Sequence, residues 1–441
     1  MDRRLLLVTI VILAAGGSRA GAQVIADSAA PRVWTLEDAV TAGLAQHPLV
    51  EAARARLDAA RSERDAVRAL PNPTATFWLE NDLPREASFY VTYPLESILQ
   101  RPSRVRRAEE DARAASASLL LVQRFVAAET VRAFFGVALA QALCEEAQEN
   151  HSRLEQLVAY NRVRVDEGVT AEGELLRLQV ELDRAAHEVV MAEVELTRST
   201  GRLAPYLSAT GIEAALPSIR VRVSAPPAAL AVSSIPALGV AVAAAHEARP
   251  EIVASRARVA AAAASADYER SLTVRQAGAT LGTKRTNGLS SIVAGVSVSV
   301  PLFNLNRAPI ARAASEQIAA EHERVWSERT IAIAVQGAHG AAIALTRQLG
   351  ELQRTFLVRA GHVHELTLAA YQEGGATLLQ VLDATRMFAD ARLTYSRAMF
   401  AQRESLFDLA LATAADPMDA LVLLRAWSAA PARASLPGDV P

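Results

Sequence analysis

The stretch Tyr371–Phe388, YQEGGATLLQVLDATRMF, carries a helical pattern that stops at Gly374 and Gly375 and restarts at once. A glycine there can take the left-handed conformation that ends a helix. Thr377 followed by Gln380 is a T-x-x-Q capping box, which opens the next helix. Two helices joined so tightly form the tip of an αα-hairpin. A single acid, Asp383, lies just past the break.

The segments on either side are long. No proline falls between Pro102 and Pro205, or between Pro309 and Pro417. The first run is expected to begin around Ser103 and reach Gly168, some 65 residues or roughly 100 Å of helix. An ordinary globular helix has about 11–12 residues. Val105, Ala108, Ala112, Ala115, Leu119, Val122 and Val126 keep the 3-4 spacing of a coiled-coil seam. Leu120, Leu121, Phe125, Phe134 and Phe135 fall off that seam, so the helix should pack on more than one side, as in a cylinder of helices. Gly168 is a looser counterpart of the Gly374 break, with Thr170 as the expected cap and Glu172 and Glu174 in a first turn that favours acids.

That correspondence extends along the chain. His47-Pro48 resembles Arg249-Pro250, Pro94-Leu95 resembles Pro301-Leu302, and Glu167-Gly168 resembles Glu373-Gly374. The matches keep their order at a shift of roughly 200 residues, the mark of an internal repeat. Residues 23–215 and 237–415 therefore form two repeats, joined by a Pro- and Ala-rich linker at 216–236. Each repeat starts with a helix of about 35 residues, with a proline near its first third. Two short alternating segments and a long helical run broken once by glycine follow.

The alternation marks strands. Ala75, Phe77 and Leu79 share one face, and Thr74, Thr76 and Glu80 the other. Phe89, Val91, Tyr93 and Leu95 oppose Ser88, Tyr90 and Thr92. Ile292, Ala294, Val296, Val298 and Val300 oppose Ser291, Gly295, Ser297 and Ser299, and Asn287-Gly288 supplies the hairpin turn to TVRQAGATLGT. Strands of about 8–11 residues are long enough to cross a bilayer when tilted. An ordinary half-buried hairpin on a soluble domain fits the alternation equally well.

Composition narrows the class. Hydrophobic residues make up 51% of the 441 residues but aromatics only 5%, which suits closely packed helices. The net charge of −2, without a basic tract, argues against a nucleic-acid partner. Cys144 is the single cysteine, so neither a disulfide framework nor a cysteine metal site is available. Arg3 and Arg4, the apolar run Leu5–Ala15 and Ala20-Gly21-Ala22 read as a secretory signal peptide over 1–22. No long apolar run follows it, so an exported chain of this kind is either soluble or spans a membrane as a β-barrel. Residues 416–441 are expected to be disordered.

Together these features resemble the TolC family of outer-membrane efflux proteins, from about Trp34 to Ala415. Tyr371–Arg386 is close to the family's second hairpin tip. LPNPTATFWLEND and YPLESILQRPSR resemble the first strand pair and the start of the long helix, and VPLFNLNRAPI its second counterpart. The resemblance implies a mainly α protein with a transmembrane β-barrel. Four strands per chain would join a trimeric twelve-stranded barrel, and long helical hairpins would form a periplasmic α-barrel. It implies a homotrimer in the outer membrane, in contact with its lipids and working with a periplasmic adaptor and an inner-membrane transporter. Such a chain is a passive duct for metal ions or small toxic solutes, with no catalytic residue and no cofactor. Two departures stand out. Ile98-Leu99-Gln100-Arg101 replaces the Gly-Gly-Lys-Arg element of many metal-efflux members, and the loop DLPREA between the first strands is short.

Three expectations follow for sites. Asp383, with Gln380 and Arg386, is the candidate pore gate, since three carboxylates at a constriction attract cations. An i, i+3 pair between Asp383 and Arg386 is the alternative use of that acid. Gly168, Val169, Thr170, Gly374, Gly375 and Thr377 are the candidate adaptor-binding tips, because small turns let another hairpin approach closely. His362 and His364 point about 200° apart on a helix and make no metal site. The competing reading is a soluble periplasmic coiled-coil scaffold or adaptor.

Overall fold

The computed structural model describes residues 33–80, 85–207, 219–221, 235–273, 276–302, 304–413 and 418–422. The expected signal peptide, most of the expected linker, the first half of the DLPREA loop and the end of the tail lie outside them. In the first half, β1 (Val33–Trp34) leads to α1 (Leu36–Gln46) and α2 (Pro48–Arg68). The hairpin β2 (Thr74–Glu80) and β3 (Glu86–Pro94) follows, and then α3 (Glu96–Asp166) and α4 (Glu172–Leu207). After β4 (Arg220–Val221), the second half repeats the order. It comprises α5 (Leu238–Ala248), α6 (Pro250–Ser271), β5 (Ala277–Thr286), β6 (Leu289–Val298), α7 (Arg307–Glu351), α8 (Leu357–Gln372) and α9 (Leu378–Thr413).

Several elements depart from the sequence reading. The opening helix of each half is two helices, because His47 and Arg249 are extended and Pro48 and Pro250 each start a new helix. A residue before proline avoids the helical region, and proline itself fits the first helical position. α3 starts at Glu96 rather than near Ser103 and carries Pro102 inside it. The chain runs straight from strand to helix there. The Ser97 hydroxyl donates to the Pro94 carbonyl at 2.6 Å, and the Glu96 carboxylate accepts the Ala277 N–H at 3.0 Å. The run towards Gly374 is not one α-helix, since residues Leu352–Phe356 form a π-turn between α7 and α8. Part of the expected linker is ordered, with β4 pairing in parallel with β1. The tail is also partly ordered: residues 418–422 are helical, and Ala420 and Leu421 are buried.

At 71 residues α3 is the backbone of the molecule. Its two ends pack on different partners, α2 and α6 nearer the sheet and α4 towards the far end. Around its middle lies the main core, where Val131, Phe134 and Val137 meet Val40, Leu203, Phe407 and Leu409. The two halves are tied there by charge. Buried Arg124 of α3 meets Glu251 of α6 at 3.1 Å and donates to the Leu411 carbonyl of α9, while Arg249 approaches the same carboxylate at 3.5 Å. Burial pushes the Arg124 guanidinium down to about 10, so Glu251 is what keeps two neighbouring cations tolerable at this depth.

The four longer strands form one antiparallel sheet in the order β2-β3-β5-β6. Its register separates two faces. Phe77, Phe89, Thr283 and Ile292 lie in one cross-strand row, and Ala75, Val91, Leu281 and Ala294 in another on the same side. The opposite side carries Thr74, Thr92, Thr280 and Gly295, then Trp78, Ser88, Lys284 and Ser291. Lys284 pairs with Glu86 at 2.6 Å on that polar face. The apolar face has no cover among the described residues, with Ile292 80% and Val296 73% exposed. Asn287 and Gly288 both have positive φ (51° and 89°), so the predicted two-residue hairpin turn is formed.

Gly282 sits where a Cβ would fall 2.1 Å from the Phe89 carbonyl oxygen and 2.7 Å from the Tyr90 ring. Gly282→Val is expected to destabilise the sheet, read as a lower midpoint of thermal unfolding. Gly295→Ala, which meets nothing within 4 Å, should leave the midpoint unchanged; equal behaviour of the two variants would contradict the register.

Candidate functional site: the paired hairpin tips

The two helical turns close with the same pair of backbone bonds. Gly168 and Gly374 take φ of 73° and 81°. Their N–H groups donate to the carbonyls of Val165 and Tyr371, and the next N–H groups, of Val169 and Gly375, donate to Arg164 and Ala370 at 2.8 and 2.7 Å. Only the first glycine of the Gly374-Gly375 pair has the left-handed backbone. This is the Schellman pattern, and glycine is favoured at its turning residue because a Cβ is strained there.

The helices that leave the turns start differently. At the second tip, Thr377 N–H donates to Gln380 Oε1 at 2.8 Å and Gln380 N–H to Thr377 Oγ1 at 3.4 Å, the reciprocal capping box expected from the sequence. At the first, α4 begins at Glu172, so Ala171 holds the cap position and Thr170 stands one place too early. Thr170 N–H instead reaches back to the Arg164 carbonyl at 3.2 Å. Gly168, Val169, Gly374, Gly375 and Thr377 are exposed, and Thr170 is half-buried.

The tips are held side by side. Leu154, Leu157, Val158 and Leu178 of the first hairpin pack with Tyr371, Leu378, Val381 and Leu382 of the second. The Tyr371 hydroxyl donates to Asn161 Oδ1, and Asn161, fully buried, donates to the Leu157 carbonyl at 2.9 Å. Arg164 lies over the Tyr371 ring at 5.2 Å, and burial pushes the phenol's pKa up. Farther from the tip, Arg392 of α9 meets Glu146 at 2.5 Å and Glu149 at 2.7 Å on α3.

Of the candidate gate residues, Asp383 is exposed and has no ion pair among the described residues. The expected i, i+3 pair does not form. Arg386 turns to Glu181 of α4, with one nitrogen at 3.3 Å from the carboxylate and a second closer. The Gln380 amide oxygen is engaged by Thr377. His362 is exposed, whereas His364 stacks on Phe388 with ring centroids 5.3 Å apart. Burial and the Arg153 guanidinium lower the His364 pKa. The sequence reading missed Asn161, Glu181 and Arg392, whose roles depend on how the two hairpins are rotated against each other.

Residues 40–209 and 241–415 match the outer membrane efflux protein family, and the chain belongs to it. It is 24% identical over 373 residues to the cobalt-zinc-cadmium resistance protein CzcC of Cupriavidus metallidurans, covering 82% of this chain and 85% of that one. It is 28% identical over 304 residues to the nickel and cobalt resistance protein CnrC of the same organism, covering 65% and 68%. The fold is similar to the outer-membrane channel OprN, with a TM-score of 0.72 at 20% identity, covering 87% of this chain and 90% of that one. The protein is an outer-membrane efflux channel whose helices extend into the periplasm. The soluble scaffold reading falls with that finding. Members of the family are trimers that work with periplasmic adaptors and inner-membrane transporters.

Tyr371→Phe strands the buried Asn161 oxygen and should cost about 1–3 kcal/mol. Arg386→Ala breaks an exposed pair and should cost less than about 1 kcal/mol. Thermal denaturation of the two variants checks this order, and the reverse order would contradict the assigned burial.

Proposed function

We propose that this channel is the exit duct of a tripartite pump that expels divalent transition-metal cations. The observation that carries the cargo is that both relatives are named for metal resistance, one for cobalt, zinc and cadmium and the other for nickel and cobalt. The missing Gly-Gly-Lys-Arg element does not weigh against this, because it lies at the strand-to-helix junction, far from the tips.

In this reading the chain forms a homotrimer. The exposed turns at Gly168, Val169, Thr170, Gly374, Gly375 and Thr377 receive the adaptor. These six residues carry small side chains, Val169 the bulkiest of them, and an exposed glutamate, Glu167 or Glu373, precedes the glycine of each turn. Asp383 repeats three times around the narrow end. Its carboxylate is exposed and has no ion pair among the described residues, as a cation-attracting ring requires. Gln380 helps by fixing the helix start, and Arg386 by tying α9 to Glu181. The duct needs no resident cofactor, since tight binding would slow release.

Two experiments test this. A deletion strain should become sensitive to cobalt, zinc, cadmium or nickel and be rescued by the intact gene; sensitivity confined to dyes and antibiotics would replace the cargo with organic solutes. In planar bilayers, Asp383→Ala should reduce cation selectivity. Unchanged conductance and selectivity would sink the gate assignment.

A further inference from the structure

The second hairpin is held weakly between its π-turn and its tip. α8 has 16 residues, of which only Ala360 and Tyr371 are buried. Apolar burial therefore contributes little to its seat on α9 between those two points. Midway between them lies an aromatic contact. Phe388 of α9 rests against the α8 backbone at Gly361, where a Cβ would stand 3.5 Å from its ring. One turn further on, His364 stacks on the same ring, nearly parallel at 9°. Its Nδ1 faces the Thr385 hydroxyl at 3.4 Å.

Charges surround that ring. Arg153 of α3 lies 5.5 Å from its centroid and Arg392 of α9 5.8 Å. Glu146 and Glu149 of α3 balance them, since Arg392 meets both and Arg153 meets Glu149 at 3.4 Å. Arg153 Nε and Nη2 are buried without a hydrogen-bond partner among the described residues, so this cation is already poorly solvated. α9 brings no acid to His364. Asp383 and Asp390 lie two residues from Thr385 and Phe388, on another side of the helix, and Arg386 is turned to Glu181. On α8 itself the adjacent acid is the exposed Glu365.

A proton on His364 would put a third cation around one phenyl ring. A cation–π contact with Phe388 would offset part of the cost, but that ring already carries two guanidiniums. Burial first and Arg153 second hold the imidazole below its usual value, and Glu365 opposes them only in part. The folded chain therefore binds this proton less readily than the unfolded one. The stabilisation is complete above the ordinary imidazole value of about 6.5 and is lost as the pH falls from there through the lowered one.

We infer that His364 is a proton-sensitive joint of the second hairpin: neutral, it stacks on Phe388 and holds α8 to α9, and protonated, it releases α8 between the π-turn and the Gly374 tip. This inference is independent of the cargo and of the Asp383 ring.

Hydrogen–deuterium exchange of the full-length, detergent-extracted protein, corrected for the intrinsic pH dependence of amide exchange, reads the joint directly. Peptides from α8 should lose protection in the wild type between about pH 7.5 and about pH 5, the range in which an imidazole titrates. His362→Gln should behave as the wild type does, because that exposed ring lies on another side of the helix. His364→Phe keeps a ring on Phe388 without a titrating group and should hold its protection at both values. His364→Gln should be less protected than the wild type at the higher pH and should change little at the lower. Unchanged protection in the wild type overturns the joint, whether or not the variants assemble. A loss on acidification in His364→Phe as large as in the wild type does so as well.

Discussion

The four-stranded sheet has an uncovered apolar face and two edges, β2 and β6, whose backbone groups are paired on one side only. Inside a bilayer each unpaired N–H or carbonyl costs several kcal/mol, so an open sheet cannot stay there. The order β2-β3-β5-β6 is antiparallel throughout, so the two edges run in opposite directions. An antiparallel join of β6 to the β2 of another copy therefore continues the same hydrogen-bond pattern. Closure of the sheet requires further copies of the chain, and the helices hanging from each sheet are then gathered into a tube.

Polar ties join the two hairpins both at the middle of that tube and at its far end. A helix of 71 residues cannot be positioned at its tip by contacts at its root alone. The middle is fixed by the core around Phe134 and Phe407 and by Arg124 with Glu251. The tip is fixed by Tyr371 with Asn161 and by Arg386 with Glu181. The first of these is buried and the second exposed, so the tip combines a firm joint with a weak one. The π-turn at Leu352–Phe356 lies on the second hairpin only. π-turns often mark places where a long helix yields, and here it lies between the fixed middle and the tip.

Much of this was legible in the sequence because it depends on local chemistry. Gly374, Thr377 and Gln380 carry their turn and cap in their side chains or lack of one, and the alternation around Ile292 and Val296 gives both strand and face. The Asn287-Gly288 turn is of the same kind. Other features were hidden for physical reasons. Arg386 was matched with Asp383 because both lie on one helix, but the stronger partner came from α4, which only tertiary packing brings near. Ala420 and Leu421 looked like a tail by composition and are buried because the core around Phe407 has room for them. Thr170 looked like a cap, and the turn at Gly168 places the cap position one residue beyond it, at Ala171.

The measurement that tests the account most directly is disulfide trapping across the sheet edges. In a Cys144→Ser background, one cysteine is placed at Thr76 in β2 and a second at each position from Ser290 to Ser297 in β6. Closure between copies predicts chain-to-chain bonds that peak at a single register and alternate with the strand's two-residue period, yielding a covalent trimer on denaturing gels. Bonds confined within a chain, or an absence of alternation, would show that β2 and β6 do not meet between copies.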